Sequence, residues 1–527
     1  MPDAQAVASP SASPRDERTL AAWRAHLGTD ALDPDELVAE LTAGSLPEAF
    51  AATARERCDA PALRIDDREA THAELDDAAG RVAGWLRAEG VLPGDRVLLA
   101  APTSMELVAA YLGTLRAGAT AVPTEAAMTR AELDRLVADA DPAAAFASGD
   151  AHAGLAAGGR PARLVQLGGQ APWREADPLP AEPVGAPAML AFTSGTTGAP
   201  KGVPLTHANV LSSIRAVMRA WRWSADDVLV HALPLSHQHG LGGVHVTLLA
   251  GSRAVVLSRF DPEAVCRAVR EQGGTVLFAV PAMYERLDAA SDEDRACLRA
   301  LRLAVSGSAA LPPRLARRVE GWLGQLPLER YGSTEAGLDL SNLYEGPRRP
   351  GRVGRPLPGV EVRLDGETGE ILVRGPQVFA GYLDRDDATA EAFTRDGFFR
   401  TGDAGAMDAE GDVEITGRLK DMIISGGLNV YPREVELVLA EHASVGEVAV
   451  AGLPSERWGE EVVAFVVPAS DEDLDEDALL AHARERLSAY KCPKRVVRVG
   501  ELPVNHMGKV QRDRLVALGR DIEEGRS

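Results

Sequence analysis

A glycine- and threonine-rich run directly after an apolar segment has the residue types that bind a polyphosphate. The run TSGTTGAPKG spans 193–202 and follows the apolar residues 188–192. Such a loop offers backbone N–H groups, hydroxyls and one ammonium group to phosphate oxygens, with no bulky side chain in the way. It is not a Walker A loop, because Pro200 stands five residues after Gly195 and Gly202 follows Lys201. The run predicts a nucleotide site, with a flexible connector as the alternative for this run taken alone.

Four further segments combine glycine with hydroxyl and charged residues. They are YGSTEAG at 331–337, TGD at 401–403, GRLKD at 417–421 and HMGKVQRDRL at 506–515. Each has an ordinary structural explanation by itself, since a Thr-Glu pair caps helices, a carboxylate in a glycine-bearing turn is usually a surface group, and most lysines are solvated. Their functional interpretation therefore depends on their occurring together.

Helices alternate with short apolar strands from about residue 60, which predicts an α/β fold with a mostly parallel sheet. Ligands of such sheets bind at the carboxyl ends of strands, and the run after Phe192 lies at one. Strands are expected at 96–100, 254–257, 275–280 and 301–305.

Composition divides the chain into three parts. Residues 1–46 form an N-terminal extension, disordered at its start and helical from about Leu20, that could pack on the main body or bind a partner. Residues 47–419 form a large domain, which changes near Arg355 to the short strands and turns of a β-rich subdomain. Residues 420–527 form a small α/β domain with a helix expected at 474–487.

Length, charge and cysteine content exclude several function classes. At 527 residues the chain exceeds the size of one core. It has no apolar stretch of about 18 residues that would span a membrane, and its N-terminus lacks the features of a secretory signal, which predicts a cytoplasmic protein. The formal net charge of −22 argues against nucleic acid as a partner. The four cysteines match no metal-binding spacing, so no chemistry is assigned to them.

In their order and spacing, the five segments resemble those of the adenylate-forming superfamily of acyl-CoA synthetases, peptide-synthetase adenylation domains and luciferases. The resemblance covers about residues 47–518. It implies that a carboxylate attacks the α-phosphate of ATP to give acyl-AMP and pyrophosphate, and that a thiol then attacks acyl-AMP. ATP, Mg²⁺ and CoA are implied as cofactor and co-substrates, and the acid needs no base because it is already ionised at pH 7.

The resemblance also assigns the nucleotide site. The glycine run is implied to cradle the β and γ phosphates, Tyr331 to stack on adenine, and Asp403 and Arg418 to bind the ribose hydroxyls. Catalysis is implied to rest on Lys509, which bridges the acid and the α-phosphate as negative charge builds there. Thr334 is implied to contact the α-phosphate and Glu335 to hold Mg²⁺. The residues expected to contact ATP or AMP are Thr193, Ser194, Gly195, Thr196, Thr197, Lys201, Gly307, Ser308, Ala309, Arg330, Tyr331, Gly332, Thr334, Asp403, Arg418 and Lys509.

In the superfamily the small domain is mobile and rotates between the half-reactions. The resemblance implies that the hinge here is Lys420, by its position in the GRLKD segment. Rotation withdraws Lys509 and brings in a loop whose Gly426 and Gly427 would line a narrow tunnel for pantetheine.

The acid site is implied by a further segment, PLSHQHGLGG at 234–243, which resembles the acyl-pocket wall with His237 at its edge. Malonyl-CoA synthetases are the most similar subfamily in the segments VPAMYERL, SGSAALP, LERYG and HMGKVQRDRL. In that subfamily the arginine and serine matching Arg286 and Ser308 receive the distal carboxylate. For Arg286 a solvent-facing position is the alternative. If it faced the pocket, an apolar monoacid would leave a buried charge unpaired at a cost of about 3–5 kcal/mol.

The chain differs from malonyl-CoA synthetases at positions that would enlarge the expected pocket. Where malonyl-CoA synthetases carry methionine in YGMTE, this chain has Ser333, and Gly242 and Gly337 are also small. A branched, cyclic or longer acid is therefore an alternative to malonate. The acceptor stays open as well: free CoA in a stand-alone ligase, or a carrier protein or partner enzyme docked through the extension. A non-enzymatic scaffold is disfavoured by the presence of Lys509 and Glu335.

Overall fold

The computed structural model describes most of the chain. The described residues are 15–159, 161, 163–168, 172–181, 185–193, 200–425, 428–455, 457–469, 474–504 and 510–523. Within these ranges, a helix with the length and apolarity needed to cross a membrane does not occur.

The helices begin at residues that suit helix N-termini, and most of their N-caps are Ser, Thr or Asp. The α-helices are α1 (Glu17–Leu27), α2 (Pro34–Thr42), α3 (Leu46–Glu56), α4 (His72–Ala88), α5 (Met105–Arg116), α6 (Arg130–Ala140), α7 (Gly149–Gly158), α8 (His207–Ala220), α9 (Gln238–Ala250), α10 (Pro262–Gln272), α11 (Pro281–Asp288), α12 (Asp292–Arg295), α13 (Pro313–Leu323), α14 (Asp386–Ala392), α15 (Pro432–Leu439), α16 (Glu476–Arg486) and α17 (Arg512–Glu523).

The strands are short and mostly apolar. They are β1 (Pro61–Ile65), β2 (Arg68–Thr71), β3 (Arg96–Ala100), β4 (Thr120–Pro123), β5 (Ala144–Ala147), β6 (Arg163–Gln166), β7 (Met189–Thr193), β8 (Lys201–Leu205), β9 (Val228–His231), β10 (Arg253–Val256), β11 (Val276–Ala279), β12 (Leu303–Ser306), β13 (Leu328–Ser333), β14 (Gly337–Ser341), β15 (Arg352–Pro356), β16 (Glu361–Leu364), β17 (Glu370–Arg374), β18 (Phe399–Met407), β19 (Val413–Arg418), β20 (Ile423–Ser425), β21 (Leu428–Val430), β22 (Val445–Ser455), β23 (Gly459–Pro468) and β24 (Arg495–Arg498).

Two sheets build the large domain and a third builds the small one. A six-stranded sheet has the order β6-β5-β3-β4-β7-β8 and is parallel except for the β7–β8 hairpin. A second sheet runs from parallel strands β1, β10, β9, β11 and β12 into the antiparallel strands β13 to β19. Strands β20 to β24 form the third sheet. The predicted α/β fold class, with a large N-terminal and a smaller C-terminal domain, is confirmed.

The largest apolar core joins the two sheets of the large domain. It includes Leu63 of β1 and Val97 of β3, together with side chains of α4, α5 and α9. Helix α8 packs beside α9, β14 and α2. Its N-terminus is fixed by a capping box, in which the Thr206 hydroxyl accepts from the Asn209 N–H and the Asn209 side chain accepts from the Thr206 N–H.

The N-terminal extension forms two packed helices in its described part, which starts at residue 15. Trp23 of α1 is fully buried, and its indole N–H donates to the Val360 carbonyl at 2.8 Å. Leu37 and Leu41 of α2 belong to the same core. Of the two roles left open for this extension, packing on the main body is the one seen in this conformation.

The division of the chain near Lys420 stays a prediction. Lys420 lies in a short 3-10 turn, Leu419–Asp421, between β19 of the large sheet and β20 of the small one. The described parts on either side are thus joined by a few residues, and the Lys420 side chain is exposed.

Candidate active site

The described ends of the glycine run belong to the paired strands β7 and β8. Thr193 and Lys201 are register partners, while Ser194, Gly195, Thr196 and Thr197 fall outside the described residues. The Lys201 ammonium nitrogen lies 4.6 Å from the ring centroid of Tyr382, within the range of a cation–π contact. Both ends of the run are therefore anchored in the six-stranded sheet.

Glu335 connects to this lysine through the same tyrosine. The Tyr382 hydroxyl donates to Glu335 Oε1 at 3.1 Å, and burial raises the Tyr382 pKa, so the phenol remains a donor at neutral pH. The expected phosphate-binding lysine and the expected Mg²⁺ carboxylate thus contact the same tyrosine, one at its ring and the other at its hydroxyl. In the part of the chain that the structure describes, no cluster of three or more candidate metal ligands occurs. A single carboxylate suits Mg²⁺ held mainly by substrate phosphates and water.

The expected ribose site is assembled from three distant segments. Asp403 and Arg418 are register partners on β18 and β19. Asp403 is buried; its Oδ2 accepts from the Tyr331 hydroxyl at 2.7 Å and its Oδ1 lies 3.0 Å from Arg418 Nε. The Tyr331 ring is therefore held beside a carboxylate that can accept from ribose hydroxyls.

The turn after β12 carries Gly307, Ser308 and Ala309. Ser308 has a left-handed backbone with φ 68°, which is uncommon outside glycine. A Cβ on Gly307 would lie 2.3 Å from Arg330 Nε, so the absence of a side chain lets Arg330 pack against this turn. The Ser308 hydroxyl lies 3.1 Å from Nδ1 of His239.

A cavity of about 210 Å³ opens beside these residues. This is far more than the roughly 10–15 Å³ that one water molecule needs by a comparable measure. Gly332, Ser333 and Thr334 form one side of it. Its walls are mainly apolar and include Val210, Ile214, Val217, Leu241, Val246 and Phe278.

The cavity contains uncharged histidines. His245 is buried, its Nε2 lies 2.7 Å from the Tyr111 hydroxyl, and burial lowers its pKa to about 3. His239 also lines the cavity, and burial, with Arg330 nearby, lowers its pKa well below the usual range. Both imidazoles are therefore neutral at physiological pH.

Arg330 is the one arginine or lysine among the described residues that line the cavity. Burial lowers its pKa to about 10, and it remains charged at neutral pH. Within the described ranges its guanidinium makes no hydrogen bond or ion pair. An anionic ligand would supply the charge that this site lacks.

His237 lines the cavity at the N-terminus of α9. Its Nε2 lies 2.6 Å from Glu125 Oε1, and the same oxygen accepts from the Ser236 hydroxyl at 2.9 Å. The expected pocket-edge histidine is thus fixed by a carboxylate that the sequence did not indicate, because Glu125 is distant in the chain and belongs to no motif.

The structure does not bring Arg286 to the cavity. In α11 the neighbouring Tyr284 and Leu287 face the core, which turns Arg286 outward. Its side chain is exposed, and its guanidinium carbon lies 4.7 Å from the ring centroid of Phe260. The expectation that Arg286 receives a distal carboxylate therefore finds no support in this geometry.

Other residues of the cavity were missed from the sequence. Gln238 donates to the Thr334 carbonyl at 3.1 Å and so joins α9 to the end of β13. Val210, Ile214 and Val217 recur at helical spacing along α8, and this periodicity was the signal that could have placed one face of α8 at the site. Lys509, Gly426 and Gly427 lie outside the described residues.

Comparison with known proteins identifies the class of enzyme to which this fold and cavity belong. The chain matches the model of the AMP-binding enzyme family over residues 50–383 and that of the AMP-binding enzyme C-terminal domain over 434–509. The chain belongs to the AMP-binding enzyme family. It is an AMP-forming acyl-CoA synthetase, and such enzymes use ATP, Mg²⁺ and CoA.

Relatives and solved structures agree with this membership. The chain is 39% identical to a feruloyl-CoA synthase of an Amycolatopsis species, over 86% of this chain and 94% of the relative. It is 33% identical to a malonate–CoA ligase of Arabidopsis thaliana, over 90% and 89%. The structure is similar to ATP-bound MatB from Rhodopseudomonas palustris, with a TM-score of 0.85 and 37% identity, covering 91% of this chain and 99% of that one.

Proposed function

We propose that this enzyme activates a ring-bearing, largely apolar monocarboxylic acid, bulkier than malonate, and transfers it through acyl-AMP to CoA. The observation that carries the proposal is the cavity beside Thr334, whose walls are mainly apolar and in which Arg330 is the one arginine among the described lining residues. The named substrate of the feruloyl-CoA synthase relative belongs to this class of acid.

The apolar walls favour a hydrophobic acyl group. Burial of apolar surface contributes about 25 cal/mol per Å², or about 1.5–3 kcal/mol for a side chain the size of Phe. Ser333 and Gly242 keep the cavity open: a Cβ on Gly242 would approach only Ile214, at 3.7 Å. A ring can therefore occupy space that larger residues at these positions would fill.

The charges argue against a short dicarboxylate. Arg330 can neutralise the carboxylate that is being activated, or the adenylate formed from it. A second carboxylate would then find no further cation among the other described lining residues, which are apolar or uncharged and include the neutral imidazoles of His239 and His245. An unpaired buried carboxylate costs several kcal/mol.

The nucleotide is held on the other side of Thr334. Asp403 accepts from the ribose, with Arg418 and Tyr331 fixing its position, and Lys201 lies at the neck of the loop that holds the phosphates. Glu335 would hold Mg²⁺, which neutralises phosphate charge when bound. Catalysis then consists of positioning the ionised acid and stabilising the charge that develops on the α-phosphate.

Pyrophosphate release measured against a panel of acids tests the proposal. The panel contains ferulate, 3-phenylpropionate, propionate, malonate and methylmalonate, each with ATP, Mg²⁺ and CoA. We expect kcat/KM for the best ring-bearing acid to exceed that for malonate by at least about 10-fold, since this needs only about 1.4 kcal/mol. A preference for malonate or methylmalonate would refute the assignment.

Replacing Ser333 by methionine should narrow the cavity. Extra methylenes in a packed site cost about 1–3 kcal/mol, so we expect kcat/KM for ring-bearing acids to fall about 10-fold or more. The value for propionate should change less than about threefold. The matched control is Ser258→Met, the same change at an exposed position away from the cavity. An equal loss for all acids in Ser333→Met would place Ser333 outside the acyl site.

A further inference from the structure

The N-terminal helices α1 and α2 lie against α8, whose other face lines the acid cavity. We propose that they form a brace that fixes α8 and thereby the shape of the acyl pocket, with Arg215 as its main positioning residue. The inference rests on the proposed function only in taking this cavity as the acid site.

One face of helix α8 lines the cavity and the opposite face carries arginines. Asn209, Val210, Ser213, Ile214 and Val217 line the cavity. Arg215 and Arg219 point to the other side, one turn apart, and Arg222 follows two residues after the helix ends. If the contacts of these arginines change and α8 shifts, the cavity wall on its other face therefore shifts with it.

Arg215 binds the C-terminal end of α2. Its Nη1 donates to the carbonyls of Glu40 at 3.0 Å, Leu41 at 3.1 Å and Ala43 at 2.7 Å. The last carbonyls of a helix have no intrahelical partner, and they carry the negative end of the helix dipole. One guanidinium thus satisfies several of these groups and ties α2 to α8.

A second set of hydrogen bonds connects α1 to the end of α8. Arg222 Nη1 donates to the carbonyl of His26 at 2.9 Å, in the last turn of α1, and to that of Arg219 at 3.0 Å. Gly28, at the C-cap of α1, has φ 66°, and a Cβ there would lie 2.6 Å from Arg222 Nη2. The glycine therefore permits the close approach of this arginine.

The brace also packs close to a segment that leads to a second wall of the cavity. A Cβ on Gly359 would lie 2.9 Å from Cδ1 of the buried Leu41 in α2, and one on Gly375 would lie 2.7 Å from the Gly359 carbonyl oxygen. Gln377, two residues after Gly375, lines the cavity. Asn209 of α8 donates to the carbonyls on both sides of Gln377, at 2.7 and 2.9 Å. Helix α2 thus lies close to the α8 wall directly and to the Gln377 wall through Gly359 and Gly375.

These helices precede the residues matched by the family model, which begin at 50. The shape of the acyl pocket in this chain would therefore depend on residues outside the matched region. That makes the brace a means of tuning selectivity without changing any residue that contacts the acid.

Acid selectivity of the full-length Arg215→Met variant tests the brace. Methionine removes the guanidinium and keeps an unbranched side chain. The readout is the ratio of kcat/KM for the best acid of the panel to that for propionate, which can be measured whichever acid is best. We expect this ratio to fall at least about fivefold, since small misplacements of a bound substrate cost up to about 10²-fold. The KM for ATP should stay within about twofold.

Two further variants separate positioning from stability. Arg219→Met removes only an exposed ion pair with Glu40, which is worth about 0–1 kcal/mol, and should leave the ratio unchanged. Arg215→Lys keeps a charge that can reach fewer carbonyls and should give an intermediate ratio. A lower melting temperature of Arg215→Met with an unchanged acid ratio would overturn the proposal. A malonate preference of the parent enzyme would refute the assigned substrate class and leave this ratio test valid.

Discussion

Replacing Lys509 by alanine is expected to lower the rate of acyl-adenylate formation by about 10²–10³-fold or more. Loss of one group that stabilises transition-state charge has effects of this size. The lysine itself lies outside the described residues, but Val504 and Val510, on either side of 505–509, form an antiparallel bridge. Val504 and Val510, the described residues that flank this segment, are therefore paired with each other in the small domain.

The same variant should retain the second half-reaction. In thioester formation from supplied acyl-AMP and CoA the thiol attacks the acyl carbon and AMP leaves, so no pentacoordinate phosphorus forms and we expect the rate to stay within about threefold of the parent. Pyrophosphate release and thioester formation are measured separately. The control is Lys494→Ala, an exposed lysine of the small domain whose ammonium group donates to the Ala489 carbonyl. Equal losses in both half-reactions would show that the assigned role of Lys509 is wrong.

Replacing Asp403 by alanine is expected to weaken ATP binding by about 10- to 10²-fold. Hydrogen bonds to charged groups contribute about 1.5–3 kcal/mol each, and the ribose would lose its carboxylate acceptor. Arg418 and Tyr331 would also lose the group that orients them, because both contact this carboxylate. The measurement is the dissociation constant of ATP by calorimetry, together with the KM for ATP.

Two companion variants define what the carboxylate does. Asp403→Asn keeps the shape and one acceptor oxygen, so its affinity for ATP should lie between those of the parent and Asp403→Ala. Asp396→Ala removes a carboxylate from a surface pair with Arg363 and should leave ATP binding unchanged. Unchanged affinity in Asp403→Ala would place the ribose elsewhere.

Much of the fold follows from local sequence patterns. The strand expected at 96–100 is β3, and the helix expected at 474–487 contains α16. These elements could be predicted because the patterns that indicate them involve only residues that are close together in the chain. Asp403 and Arg418 are 15 positions apart in the chain. Local propensities do not predict that they are neighbours, and they were assigned to one site only because both belong to motifs of the resemblance.

Side-chain direction was harder to predict than the elements themselves. Arg286 was a candidate for the pocket, yet its helix buries Tyr284 and Leu287 and leaves Arg286 in solvent. A helix that packs on a protein core leaves one face exposed to solvent. A sequence motif alone does not say which residues of the helix lie on that face. His239 lies in the segment 234–243 that was expected to form the pocket wall, but its contact with Ser308 was not predicted, because that contact depends on how α9 meets the turn after β12.

Ser308 shows that the active site and the stability of the fold make opposite demands on one residue. Its left-handed backbone costs about 1–2 kcal/mol for a residue with a Cβ, and a glycine there would avoid most of that cost. Glycine would also remove the hydroxyl beside His239 on the cavity wall. The chain is therefore less stable than its own fold would allow at this turn, and a search for stabilising substitutions would select Ser308→Gly at the expense of the acid site.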